Sequence, residues 1–471
     1  MSEPIPTTRE TATPSSASAS REANEATRGS ALKLGAELLG RLLYGLTTTV
    51  AIPRVLGVEG TGTFGALSAV ALVAAEAADL GLQGTASQAL VAGTHSLRAM
   101  VRAKLLISGG VLTLAVASLP WAPVFAPLLI FFTLAGWSEF LGLALRARGR
   151  AFLETLVIFA LRASGLVCIG LVILVGPTLP RVAWGAAVSP IPPILLGIVL
   201  LRGTRPAHPE PAPDRPPAVI LRSALPLAVN GGLALVSLRI ELLAITFVRG
   251  AYEAGLFTGA LRVIEFLNGM SSAVCAGAMP ALTREALRGE GPVRRRTGFT
   301  AALLAAPAVL GLLLVAPEVI VVLGGQPFAG GAPALRVLAL SLLPLFLNAV
   351  LLHSLIAVGR ASTLPRLTLV RVTSATLLAL ALVPRFGAVG GAVGFLVSEL
   401  ILLALAARAC ASARFPVPLL QPALVGLAAA APMAALVAVS GAGLALSIVL
   451  GLAAYSLTLV VAWRFTPGLA S

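Results

Sequence analysis

The chain has 471 residues, of which 58% are hydrophobic and only 11% charged, and its mean hydropathy is +0.96. A soluble domain carries about 25% charged residues, so a water-soluble globule is excluded, whereas a protein embedded in a bilayer needs no such polar cover. The net charge of +15 does not mark a nucleic-acid partner, because the basic residues recur in alternate loops, as they do in polytopic membrane proteins.

Residues 1–30 are rich in Ser, Thr, Ala and Glu and hold no apolar run. That excludes a secretory signal peptide, which needs an apolar core, and reads as a disordered cytoplasmic tail. About fourteen apolar runs follow, each near the length that spans roughly 30 Å of hydrocarbon. They lie at 33–56, 62–90, 100–120, 122–145, 152–175, 181–202, 223–249, 254–283, 297–324, 333–357, 364–384, 388–410, 418–440 and 442–463. With the first residue placed in the cytoplasm, 25 of the 34 basic residues fall in cytoplasmic segments, Lys104 and Arg371 among them. Five fall on the other side: Arg54, Arg181, Arg249, Arg336 and Arg385. This bias implies a multi-pass membrane protein with both termini cytoplasmic.

The segment 206–217, PAHPEPAPDRPP, is half proline. Neither helix nor strand accommodates that, so an extended linker divides the chain. The two sides of it resemble each other. Residues 54–67 read RVLGVEGTGTFGAL and 248–261 read VRGAYEAGLFTGAL, with Gly62-x-Phe64 matching Gly255-x-Phe257. The expected fold is therefore an all-α membrane protein. An N-terminal lobe at 31–203 (helices 1–6) is followed by a cytoplasmic linker at 204–222 and a C-terminal lobe at 223–415 (helices 7–12). Two extra helices and the C-terminus occupy 416–471. Six helices per lobe is an even number, so the repeat is parallel, about an axis along the membrane normal. The run GAVGGAVG at 387–394 holds two overlapping GxxxG patterns and predicts close helix packing.

Charged residues inside a span are costly and face the protein interior or a wet cavity. At about 100° per residue, four helices gather polar residues on one face. They are helix 1 (Glu37, Arg41, Tyr44, Thr48), helix 2 (Ser68, Glu76, Asp79, Gln83, Ser87), helix 7 (Asn230, Ser237, Glu241) and helix 8 (Thr258, Arg262, Glu265, Asn268, Ser272). A polar cavity shared by the lobes explains why equivalent helices carry the stripes; interhelical hydrogen bonding inside each lobe is the competing explanation. Glu37 with Arg41 and Arg262 with Glu265 have the spacing of self-neutralising pairs. Arg239 faces away from Glu241 and reads as structurally paired. Arg162 and Glu139 read as a pair inside the first lobe, and Glu399 belongs to no stripe. No P-loop, HExxH or GxSxG occurs, and the scattered Cys168, Cys275 and Cys410 form no CxxC. The pattern points to a secondary transporter without a cofactor or metal, and not to an enzyme.

The stretch 37–90 resembles the opening of bacterial oligosaccharide (O-antigen or exopolysaccharide) flippases of the multidrug/oligosaccharidyl-lipid/polysaccharide exporter superfamily. The family's R-x-LG-x-x-x-x-G-x-F/Y is matched by Arg54, Leu56, Gly57, Gly62 and Phe64, and Asp79-Leu80-Gly81-Leu82 resembles its D-x-G-L with a shift of one residue. In the second half 238–267 looks like the family's R-I-D pattern, with Glu241 in place of Asp and Phe257 in place of Tyr; AMPALTR (278–284) and 384–399 are similar too. The resemblance implies two lobes around a cavity lined by helices 1, 2, 7 and 8, and alternating access of an undecaprenyl-diphosphate-linked glycan. Substrate binding is then expected at Arg41, Arg262, Arg239, Tyr44, Gln83, Asn230 and Asn268, and ion coupling at Glu76, Asp79, Glu241 and Glu265. The implied partners are membrane lipid, the lipid-linked glycan, and the polysaccharide polymerase and glycosyltransferases that handle it. A cation-coupled multidrug antiporter and a lipid II flippase of the same superfamily are the alternatives.

Overall fold

The computed structural model describes residues 35–83, 89–90, 94–204, 216–237, 239–289, 291–441 and 443–465. The expected tail at 1–30 and most of the proline-rich linker lie outside the described residues. Helices carry the fold, and no strand occurs among the described residues. In chain order α1 (35–56) and α2 (58–79) are two arms of one segment turning at Gly57. Then come α3 (Leu97–Ser118), α4 (Phe125–Ala147), α5 (Ala151–Val175) and α6 (Leu179–Gly203). α7 consists of Pro217–Ser237 and Ile240–Arg249, and α8 is Ala251–Arg288. They are followed by α9 (Val293–Gly324), α10 (Ala332–Ala357), and α11 (364–386) and α12 (388–412), which meet at Gly387. The last two are α13 (Leu420–Ser440) and α14 (Leu444–Phe465). Nine described helices are long and apolar enough to cross a membrane; splitting the two bent ones and adding α7, α8 and α14 yields the fourteen segments that hydropathy indicates. The chain is an all-α, multi-pass membrane protein.

Two boundaries differ from the expectation, each for a local reason. The second helix was expected to run to 90, yet α2 stops at Asp79, where Leu80 (φ 50°) and Gly81 (φ 73°) both turn left-handed. The Asp79 carboxylate accepts the Gln83 amide at 2.9 Å, capping the next turn. The linker was expected to extend to 222, yet helix begins at Pro217. Proline is tolerated in a first turn, where its missing N–H has no acceptor to lose.

Packing divides into two main clusters. Ile52, Phe64, Leu128, Ile169 and Val182 centre a core built from α1 to α6. Leu242, Phe257, Leu338, Phe346 and Phe395 centre a larger one built mainly from α7 to α12. α13 and α14 attach to α9 through Ala306, Met433 and Tyr455, whose hydroxyl donates to the Leu303 carbonyl at 2.6 Å. Large apolar side chains such as Leu106, Leu114 and Leu174 face outward, as a hydrocarbon solvent permits.

The two halves meet backbone to backbone at the end of the bundle where basic residues are scarce. Gly57 (φ 67°, ψ −172°) separates α1 from α2, and Gly250 (φ 86°, ψ −176°) separates α7 from α8. Both occupy backbone conformations that are essentially glycine's alone, and they are separated by the same interval as Gly62 and Gly255. A Cβ on Gly62 would lie 1.9 Å from the Ala251 carbonyl oxygen, and one on Gly255 would lie 1.9 Å from that of Val58. The contact is reciprocal under the repeat, as across a local two-fold axis. Arg54 reinforces it, donating to the Val322 and Leu323 carbonyls at the end of α9 at 2.5 and 3.3 Å. The GxxxG glycines at 387–394 serve the second half in the same way. A Cβ on Gly390 would lie 2.5 Å from the Leu382 carbonyl oxygen and one on Gly391 2.5 Å from Ile245 Cδ1. At the opposite, Arg-rich end, Ile220 of α7 is buried with Leu82, Met100 and Phe140 of the first half.

Gly62→Val forces α2 and α8 apart. In a background lacking the three native cysteines, a cysteine at Thr48 is expected to react with a membrane-impermeant maleimide added on the Arg-poor side of Gly62→Val, and to stay unreactive with Gly62 intact.

Candidate functional site

Three neighbouring cavities of about 370, 200 and 170 Å³ lie at membrane depth, and all three are lined by Arg162. Arg41 lines the second and third, and Arg262, Tyr44 and Thr48 line the first and third. α1 contributes Arg41, Tyr44 and Thr48, α5 contributes Arg162, and α8 contributes Arg262 across the interface between the halves. Two glycines make the room. A Cβ on Gly269 of α8 would lie 2.3 Å from Arg41 Nη1, and one on Gly40 would lie 3.1 Å from Arg162 Nη1. The π-helical turn Leu46–Ala51 of α1, adjoining Tyr44, turns Thr47 and Thr48 to the first cavity. π turns interrupt α-helices frequently at functional sites.

The cavities gather charges of both signs, with Glu37 on the wall of the second beside Arg41 and Arg162. Glu265 accepts from Arg239 at 2.6 Å and from Arg262 at 3.0 Å, so one carboxylate serves two guanidinium groups. Arg41 and Arg162 line the same space without an ion-pair partner among the described residues. The Glu154 carboxylate at the edge of the second cavity is already taken by Arg146 at 2.6 Å. Glu76 is the acidic residue on the wall of the largest cavity along with Glu139. Glu139 is engaged by the Gln83 side-chain amide.

Each residue singled out from the sequence has a definite place. Arg41, Tyr44 and Arg262 meet at the cavities, Glu76 lines the largest, and Arg239 joins Glu265 beside Arg262. Asp79 does not face this space. It is buried and paired with Lys104 of α3 at 2.6 Å, with the Lys104 ammonium 5.5 Å from the centroid of Phe140 and 5.8 Å from that of Trp137. Gln83 donates to Glu139 and itself lines a separate small pocket beside Lys104. Asn268 accepts from Ser271 at 3.0 Å on its own helix and does not line the cavities described. The Asn230 side chain lies outside the described residues. Glu241 is buried within the second half, 1% exposed. Lys104 and Arg371, counted from sequence with the cytoplasmic loops, are instead buried, at 2% and 3% exposure.

Arg162 is the cavity residue that sequence reasoning set aside, as half of a pair with Glu139. Gln83 donates to one oxygen of that carboxylate, which lines the largest cavity together with Arg162. Depth was the available signal. Arg162 lies eleven residues into α5, about 16 Å at 1.5 Å per residue, near the middle of the bilayer, where an arginine needs either a carboxylate or water.

Removing one partner of a buried ion pair typically costs about 3–5 kcal/mol, because the other charge is left uncompensated. Lys104→Met is expected to lower stability by about that amount in chemical denaturation in detergent. Adding Asp79→Asn to it should recover most of the loss. Equal damage from single and double variants would rule out a structural pair.

No protein-family profile matches the sequence, and no curated protein matches it by sequence. Solved structures do share the fold. The lipid II flippase MurJ, in an inward closed conformation, superposes with a TM-score of 0.72 over 92% of this chain and 99% of its own, at 14% identity. An inward-facing multidrug resistance MATE family transporter of the MOP superfamily superposes with a TM-score of 0.59 over 82% and 95%, at 16% identity. A MOP superfamily transporter from Pyrococcus furiosus, described for the reverse polarity of its binding pocket, superposes with a TM-score of 0.57 over 84% and 94%, at 17% identity.

Proposed function

We propose that this chain, which has the fold of MurJ and of MATE transporters, is a flippase that moves undecaprenyl-diphosphate-linked oligosaccharide across the bacterial cytoplasmic membrane by alternating access. The observation that carries the proposal is the gathering of three guanidinium groups around one space at mid-membrane. Arg41 and Arg162 have no ion-pair partner among the described residues, and Arg239 and Arg262 share one carboxylate. Unpaired cations at that depth are favoured only if an anion or water meets them. Arginine's planar fork of donors matches a phosphate group in geometry and charge. A diphosphate offers two or more negative charges on adjacent groups, which three guanidinium groups around one space can share.

In this mechanism the diphosphate sits among Arg41, Arg162 and Arg262. The glycan rests against Tyr44, Thr48 and Glu76, and the lipid tail stays in the bilayer. Neutralising the arginines allows the halves to rock against each other, the Gly62–Gly255 crossing parting as the Arg-rich end closes. The positive-inside rule puts that Arg-rich end, and both termini, in the cytoplasm. There glycosyltransferases supply the substrate; a polysaccharide polymerase consumes it on the far side. Lipid II carries the same diphosphate–isoprenoid group, and the higher TM-score to MurJ favours it as the second reading.

Hydrogen bonds to charged groups contribute about 1.5–3 kcal/mol each, so loss of one guanidinium is expected to weaken binding by at least about tenfold. Arg41→Ala, Arg162→Ala and Arg262→Ala should each show this for the undecaprenyl-diphosphate-linked glycan in proteoliposomes, with Arg→Lys recovering part of it. Competition by lipid II tells the two lipid-linked readings apart. If all three alanine variants keep wild-type affinity, the diphosphate assignment fails.

A further inference from the structure

We infer that the second cavity, between α1 and α5, is an entry site where the diphosphate of a lipid-linked substrate, arriving from the Arg-rich end, is first held by Arg41 and Arg162; this deepens the flippase reading and rests on it.

The cavities reach different depths. The third takes residues 41–49 of α1 and Arg262, Glu265 and Phe266 of α8. The second takes Ala36, Glu37 and Arg41 of α1, and its α5 wall runs from Glu154 to Arg162. Those two positions lie three and eleven residues into α5, about 5 and 16 Å from its first residue. Of the three cavities, the second is therefore the one that joins the Arg-rich end to the arginines at mid-membrane. It is lined by α1, α4 and α5 and by no residue of α8. On the other flank α1 lies against α8. A Cβ on Gly269 would lie 2.3 Å from Arg41 Nη1, and one on Gly45 would lie 3.3 Å from Phe266 Cδ2. Contacts so close leave no room for a phosphate to pass between α1 and α8 at those points.

The charges along the second cavity are graded. Arg146 and Glu154 frame its mouth and are joined by two contacts of 2.6 Å. That pair cancels its own charge and does not trap an entering anion. Deeper in, the wall carries Arg41 and Arg162, and Arg162 has space because Gly40 stands opposite it, where a Cβ would lie 3.1 Å from Nη1. Three arginines and two glutamates line the whole, so the cavity is cationic. Arginine's planar fork of donors suits a phosphate.

The wall also has an apolar part, made by Ala36, Ile158 and Phe159. Leu39, about 60° from Ala36 around α1, is exposed, so the cavity adjoins the lipid-facing side of that helix. A free phosphate would use the arginines alone. An isoprenoid diphosphate uses both parts: its headgroup meets the guanidinium groups, its first isoprene units lie against Ala36 and Phe159, and the rest of the chain stays in the bilayer. Arg41 and Arg162 line the third cavity as well. Their side chains can therefore pass the diphosphate around α1 to Arg262.

The full-length protein in phosphatidylcholine nanodiscs, with undecaprenyl diphosphate as the probe, tests this. The photoreactive residue p-benzoylphenylalanine replaces Phe159 on the α5 flank, or Phe266 on the α8 flank. Brief illumination just after mixing is expected to give a lipid adduct at Phe159 before any at Phe266. Ala36 lines neither of the other two cavities, so Ala36→Trp narrows the mouth and leaves the central space as it is. It should slow association by about tenfold with the equilibrium affinity of wild type. Adducts that form first at Phe266 or at neither position, or unchanged association in Ala36→Trp, overturn the inference. So does loss of the Phe159 adduct to excess phosphatidylglycerol, which marks an ordinary phospholipid site. The flippase reading fails on a different result: wild type that binds no undecaprenyl diphosphate removes both, whereas binding with entry at Phe266 removes the entry site alone.

Discussion

An ionised group in hydrocarbon must be paired or wet, and the polar architecture of this protein follows from that constraint. Lys104 meets Asp79, Arg371 meets Glu399, and Arg146 meets Glu154. Each pair joins neighbouring helices within one half and is consumed there. Where pairing stops, space begins. Among the described residues Arg41 and Arg162 have no ion-pair partner and line cavities, and Glu265 beside them is divided between Arg239 and Arg262. The proposed binding site is the remainder left after structural pairs have been satisfied.

Glycine supplies the complementary feature, close approach without side chains. The crossing of α2 and α8 sets the carbonyls of Val58 and Ala251 where Cβ atoms on Gly255 and Gly62 would have to be. In a membrane no hydrophobic force draws helices together, so backbone contact of this kind is what holds the halves. A second contact joins them at the Arg-rich end, where Ile220 is buried with Leu82, Met100 and Phe140, and Arg54 adds side-chain hydrogen bonds beside the glycine crossing. Gly269 and Gly40 do the same for side chains, clearing room for the two unpaired arginines.

Much of this was legible in the sequence. Hydropathy placed the helices, and the match between Gly62-x-Phe64 and Gly255-x-Phe257 marked the residues that touch across the repeat. The polar stripes placed Arg41, Tyr44, Arg262 and Glu76 at the cavities. The errors have a common cause. Lys104 and Arg371 were read as loop cations because they lie within about ten residues of a helix end, and only three-dimensional packing shows whether such a side chain turns inward or outward. Asp79 shares a helix face with Glu76, yet the neighbouring α3 supplies Lys104 and takes it out of the cavity. Arg162 was assigned to Glu139, because a helical wheel cannot reveal that Gln83 already holds that carboxylate.

By itself the sequence determined that this chain lives in a bilayer, crosses it many times, and carries polar residues on one face of several of its helices. Hydrophobic run length, loop charge and periodicity are properties of single segments, and each segment reports its own. Which charges cancel and which remain was decided by tertiary structure alone. A salt bridge depends on the distance between side chains of different helices, and that distance exists only after the helices have packed.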